Sequence, residues 1–351
     1  MIRKSIIQIL LLLLICSAVT AQEIIQENKE LFKTREIKKS IPLSPESKVI
    51  IQAAIGLSGS IRIETTEENI AEIKYIKRAK HKSKSKAIDF IDIISVDFEA
   101  THKGLRVDLK APNPTPWSGT NYMGSVEVVL ILPEFCSVEF EAQAFEIDAE
   151  GPFESFILPA SYKKIYVENV TKQVDISVTN SKVTARNISG EIFISTTHAL
   201  LIVDKVFAPH NKIEIRNERG DIKITDVVGE LSVKNSYGRI DIRKYSPMGG
   251  YNSIRSSNGP ITIAIEDFAT TKMLVTNSYE DIEILIPNDI SSQISLAVEE
   301  GSKIEVVDIV TKPDFIQKNR LTLQAGSGKA TINSSVRGHG NIYLRGFSKG
   351  E

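Results

Sequence analysis

The sequence predicts an all-β protein: a parallel β-solenoid (β-helix) of short coils, preceded by a less regular N-terminal β section. Three observations carry that expectation. Apolar and polar residues alternate over short stretches rich in Ile and Val, the period of a strand with one buried face. The alternating stretches recur with a period of about 20 residues, shorter than helical repeats allow. A four-residue polar turn ending in glycine joins one stretch to the next.

Residues 1–21 read as an export signal and stand apart from the fold. Arg3 and Lys4 supply a positive start, residues 6–15 an apolar run broken by Gln8, and Val19, Thr20 and Ala21 a small-residue site for cleavage after Ala21. The run is shorter than the ~20 residues of a spanning helix, so the mature chain is expected to carry no transmembrane segment. Ile15, bulky and directly before Cys16, argues against a lipoprotein acylated at that cysteine. With Cys16 removed, Cys136 has no partner for an intramolecular disulfide, and its neighbours Phe135 and Val138 predict a buried, inert thiol. The expected location is the periplasm, the cell surface or the medium.

Residues 22–46 read as a leader and linker, with Pro42 and Pro45 at the end. The N-terminal β section is expected at 47–135, with strand candidates at 49–51, 60–63, 70–76, 105–109 and 126–132 and a Pro- and Gly-rich loop at 111–124. It contains the one strong charge feature, a Lys-rich loop at 77–86 carrying Lys77, Arg78, Lys80, Lys82, Lys84 and Lys86. Such a run is either a solvated loop or a contact for an anionic glycan or headgroup. Trp117 and Tyr122 suggest a carbohydrate platform or the cap of a core edge.

Residues 136–347 form the repeat region. Segments 213–224, 231–242, 252–263 and 273–284 share one grammar: alternating strand, polar turn, then x-Ile-x-Ile. Gly220, Gly238 and Gly259 close the turns, and Glu280 stands at the fourth. Asn217, Asn235, Ser256 and Asn277 open them and predict a structural ladder of amides bonded along the stack. The first inward residue after each turn is expected at Ile147, Ile165, Val183, Leu200, Ile222, Ile240, Ile261, Ile282, Ile304 and Ala330. One coil cannot bury its single apolar face. Parallel stacking about 4.8 Å apart fuses the rows into a core.

Charge and composition exclude several functions. The balance of 43 Lys+Arg against 44 Asp+Glu, net −1, argues against a nucleic-acid partner. A chain 42% hydrophobic and 25% charged is neither collagen-like nor disordered. Asp221 and Asp281 share a repeat position three coils apart, and Asp241 lies on another strand row, so no catalytic pair is predicted. His81, His102, His198, His210 and His339 lack partners at metal-ligand spacing, and no phosphate-binding or nucleophile motif occurs. Catalytic, cofactor and metal residues are therefore expected to be none.

The export signal, the turn at 58–63, the apolar segment 126–133 ending in Pro133 and the Asn-Ser-x-Gly coils together resemble the DUF4097 family of adhesin-type proteins. The resemblance spans most of 47–345. It implies an exported β-solenoid of the cell envelope and supplies no catalytic residues to carry over. The expected function is thus a non-enzymatic surface-binding, adhesin-like or structural protein, with an anionic glycan or another envelope protein as partner. Two alternatives stand beside it: a polysaccharide-active β-helix enzyme, a lyase or glycoside hydrolase marked by carboxylates gathering on adjacent coils, and an accessory protein of envelope-stress signalling.

Overall fold

The computed structural model describes residues 23–268, 271–309 and 312–348. The export signal, its cleavage after Ala21 and Cys16 lie outside the described residues. The chain is all-β, with 65% of it in strands and 3% in helix.

Alternation becomes structure through two long ladders that line one apolar core. In the first, Val128, Ile61, Ile147, Ile165, Val183, Leu201, Ile222, Ile240, Ile261 and Ile282 stand side by side, each pair joined in parallel. In the second, Leu158, Ile176, Ile194, Ile215, Val233, Ile254 and Val275 form the matching column. All these side chains are at most 2% exposed. The chain feeds the ladders in turn: Ile215, Ile222, Val233, Ile240, Ile254 and Ile261 fall alternately in the second and the first.

Three inward positions differ from expectation. Leu201, rather than Leu200, pairs with Val183. Both leucines are apolar, so alternation cannot choose between them; register with Val183 and Val203 does. Beyond Ile282 the stack leaves chain order. Its neighbour is Ile342, and Ile304 packs on the far side of Ile342. Ala330 belongs to the second ladder, beside Ser292.

Pairing is parallel through the middle and mixed at the ends. Strand Ile70–Lys80 runs antiparallel to Met123–Pro133 on one edge and to Leu31–Thr34 and Ile37–Pro42 on the other. Ser95–Thr101 turns back on Gly104–Lys110, and Arg320–Ala325 runs antiparallel to both Ser292–Ala297 and Lys312–Gln317. In the middle, Ile165–Ser177 pairs with both Val183–Ser189 and Glu191–Thr196, and Leu201–Arg219 pairs with the same two. The four close a circuit because the long strands bend through a corner and serve both ladders.

That corner is a column of left-handed residues. Asn169, Asn187, Lys205, Asp226 and Lys244 have φ between 50° and 60°. Each directly precedes an inward residue of the register series Val170, Ile188, Val206, Val227 and Tyr245. One extra residue at each corner bends the strand and returns the next side chain to the core.

The opposite corner is the Asn-to-Gly turn. Gly238 has φ +102°, and a Cβ on Gly259 would lie 1.8 Å from the Gly238 carbonyl oxygen, so successive coils touch backbone to backbone there. Asn217, Asn235, Ser256 and Asn277 stand in register and are buried. Their amides do not bond to one another. Asn235 Nδ2 donates to the carbonyls of Gly220 at 2.9 Å and Gly238 at 3.0 Å, and Asn277 Nδ2 to that of Gly259 at 2.9 Å. The glycine corner turns its carbonyls inward, and the amides satisfy them. Where Glu280 replaces glycine, the chain stacked above it carries Gly340, whose Cβ would lie 2.3 Å from the Glu280 oxygen.

Candidate functional site

The basic run is a strand and a helix rather than a loop. Lys77, Arg78 and Lys80 end the strand Ile70–Lys80; Lys84 and Lys86 begin the helix Lys84–Asp92, which Ser83 caps through the Lys86 amide at 3.5 Å. Alternation in the strand turns Ala71, Ile73, Tyr75, Lys77 and Ala79 inward. Lys77 is consequently 7% exposed; its Nζ donates to the Ile94 carbonyl at 3.0 Å, and burial pushes its pKa down. Arg78 is held by Glu27 at 2.6 Å and Glu127 at 2.9 Å. Lys86 pairs with Asp89 at 3.4 Å, and Lys80, Lys82, Lys84 and Lys86 are all exposed. The six cations therefore do not converge on one surface.

Of the two platform aromatics, Trp117 is interior and Tyr122 half-buried. Trp117 is 6% exposed, donates from Nε1 to the Gly56 carbonyl at 2.9 Å, and packs 5.3 Å from Phe90 of the helix. Tyr122 lies against His81 with ring centroids 3.9 Å apart. Helix, loop and rings together cover the end of the core.

The shared aspartates prove to be backbone clamps. Asp221 Oδ1 accepts from the Arg239 amide at 2.9 Å, and Asp281 Oδ1 accepts from the Asn341 amide at 2.7 Å. Each ties its turn to the coil stacked on it. Asp241 pairs with Arg243 at 2.5 Å. Cys136 is fully buried, and burial raises its pKa to about 11. No group of three or more His, Cys, Asp or Glu residues suited to a metal ion occurs among the described residues. No described helix is long and apolar enough to cross a membrane.

One carboxylate column does sit on adjacent coils. Glu64, Glu150 and Glu168 stand in register on the outward side of the first ladder. Arg62 engages Glu64 at 2.8 Å, and the Tyr166 hydroxyl donates to Glu168.

A second outward column was not visible as a run in the sequence, because its members lie a coil apart. Arg216, Lys234 and Arg255 are direct neighbours across the second ladder. They line an open groove of about 360 Å³ together with Lys212, Glu214, Glu230, Tyr251 and two serines. Arg216 is paired with Glu214 and lies over the Phe193 ring, 5.6 Å from its centroid. Tyr251 is 48% exposed. The signal that could have found the column is the repeat itself: these residues occupy one position of successive coils.

No protein-family model and no curated protein matches the chain. Among solved structures, a candidate adhesin from Parabacteroides merdae is 9% identical, covering 88% of this chain and 95% of that one at a TM-score of 0.34. A candidate adhesin from Bacteroides fragilis is 9% identical over 91% of this chain and 99% of that one, at 0.31. A candidate cell adhesion protein from Clostridium sporogenes is 12% identical over 89% and 100%, at 0.21. Superposition at these scores is loose, so the functional reading rests on the residues of this chain.

Proposed function

We propose that the chain is an exported, non-enzymatic β-solenoid of the cell envelope, adhesin-like, that presents long strand-built faces to a surface ligand. The observation that carries this reading is the in-register parallel pairing of successive strands, which lines up their outward positions along the axis. Such a surface suits an extended or repeating partner better than a small substrate. Export rests on residues 1–21, and the resemblance to the DUF4097 family supports the envelope setting.

A polysaccharide-active enzyme is the second reading, and the Glu64, Glu150 and Glu168 column favours it. One experiment separates the two. Purified chain is incubated with neutral and anionic polysaccharides and with whole cells, while bound protein and new reducing ends are followed for hours, with and without Ca²⁺. Retention without product release is expected. Turnover on any substrate would replace the adhesin reading with the enzyme, and failure to bind any cell or glycan would overturn both.

A further inference from the structure

In a parallel ladder, in-register neighbours are about 4.8 Å apart, and like charges placed directly opposite weaken the pairing. Over much of the outward surface opposite charges meet, although the carboxylates Glu64, Glu150 and Glu168 also stand in register. Arg186 stands beside Asp204 at 3.0 Å, Lys172 bonds Glu154 of the preceding coil, Lys48 bonds Glu139, and Arg345 reaches Glu283 at 3.3 Å. The column Arg216, Lys234, Arg255 breaks the pattern with three cations in succession. Arg216 is offset by Glu214, but among the described residues Lys234 and Arg255 form no ion pair; Arg255 Nε donates only to Ser253 Oγ at 3.0 Å. Around the groove, four cations face two carboxylates, and both carboxylates are engaged: Glu214 by Arg216, Glu230 by the Gly250 amide at 3.1 Å.

We infer that this groove binds a linear anionic polysaccharide whose successive sugars carry carboxylate or sulfate groups. The inference deepens the proposed surface-binding role by naming its ligand class and its face. A rise of about 4.8 Å per coil is close to the length of one sugar in an extended chain, so each cation meets the anion of one sugar. Ser232 and Ser253, side by side in the adjacent column, offer hydroxyl partners for sugar hydroxyls. The exposed Tyr251 ring at the groove's margin gives a flat face for a sugar ring. Repulsion within the column is relieved when a polyanion lies along it. Nucleic acid fits less well, because Glu214 and Glu230 border the groove and the chain's net charge is −1.

The test titrates the full chain with polygalacturonate, heparin, neutral dextran and oligothymidylate. Two variants are compared with it: K234Q/R255Q in the groove, and K82Q/K84Q/K86Q at the helix end. Wild type is expected to bind polygalacturonate or heparin, and which of the two binds tighter distinguishes carboxylate from sulfate recognition. K234Q/R255Q should bind about tenfold more weakly, with a thermal midpoint equal to or above wild type, while the helix-end variant binds unchanged. Unchanged binding by K234Q/R255Q, loss of binding in the helix-end variant, or equal binding of oligothymidylate would each overturn the assignment. If wild type binds none of the anionic glycans yet still adheres to cells, this assignment fails and the broader adhesin reading stands.

Discussion

Ile342 is the direct parallel neighbour of Ile282, and the strand of Ile304, which lies between them in the chain, stacks outside both. The second ladder repeats the arrangement: Val275 pairs with Ser334, and Leu296 packs beyond it. The last two strands of the chain are therefore an inner layer, inserted beneath segments made before them.

Removing residues 330–351 is expected to open a gap in the stack rather than trim its end. Hydrogen exchange at Lys272–Asn277 and Ile282–Pro287 should then approach loop rates. Removing only residues 312–325, the antiparallel pair at the end, should leave those strands protected. Equal protection in both truncations would contradict the insertion.

Ile240 is fully buried between Ile222 and Ile261. Ile240→Asp places an unpaired charge in the core and should lower stability by about 4 kcal/mol, or abolish folding. Lys223→Gln, on the outward side of the adjoining coil, should change it by no more than about 0.5 kcal/mol. Denaturant midpoints of the two variants check the inward register. Similar losses would show that it is wrong.

Asn235→Ala leaves the Gly238 carbonyl without its side-chain donor inside a tight corner, and the Gly220 carbonyl with Asn217 Nδ2 alone. A loss of about 1–3 kcal/mol is expected. Because Ser256 fills the same column with a hydroxyl that accepts from the Gly259 amide at 3.2 Å, Asn235→Ser should recover part of it. Urea unfolding of the three proteins gives the comparison, and a neutral alanine would show that the column contributes no stability.

Burial holds the Cys136 thiol neutral up to a pKa of about 11, against 9.0 for the exposed group. The unfolded chain ionises first, so this cysteine's contribution to stability is intact below pH 9 and lost as pH rises through 11. Stability should fall less steeply between pH 9 and 11 in Cys136→Ala than in wild type. Thiol reagents should label Cys136 only as the chain unfolds; fast labelling of the native protein at pH 8 would contradict the burial.

The middle of the molecule was legible in the sequence because each coil contains its own instructions. The alternation around Ile222, Ile240, Ile261 and Ile282 places those side chains inward, and the recurring Asn-to-Gly turns set the register between them. The left-handed corners were missed because Asn, Lys and Asp occupy them instead of glycine, as at Asn187, Lys205 and Asp226. The basic run misled for a related reason. A cluster in sequence is not a cluster in space when alternation turns Lys77 inward and a helix begins at Lys84. The groove cations were invisible for the converse reason, being 18 and 21 positions apart and joined only by stacking.

By itself the sequence determined the all-β class and the inward residues of the middle strands, such as Ile222, Ile240, Ile261 and Ile282, since alternation and turn chemistry are local properties. Only the tertiary structure decided which coil lies on which at the ends. Every coil offers the same apolar edge, so nothing local distinguishes Ile304 from Ile342 as the neighbour of Ile282; the choice falls to how the whole stack closes. The same stacking brought Arg216, Lys234 and Arg255 into one line, because contact between coils depends on register along the axis and not on nearness in the chain.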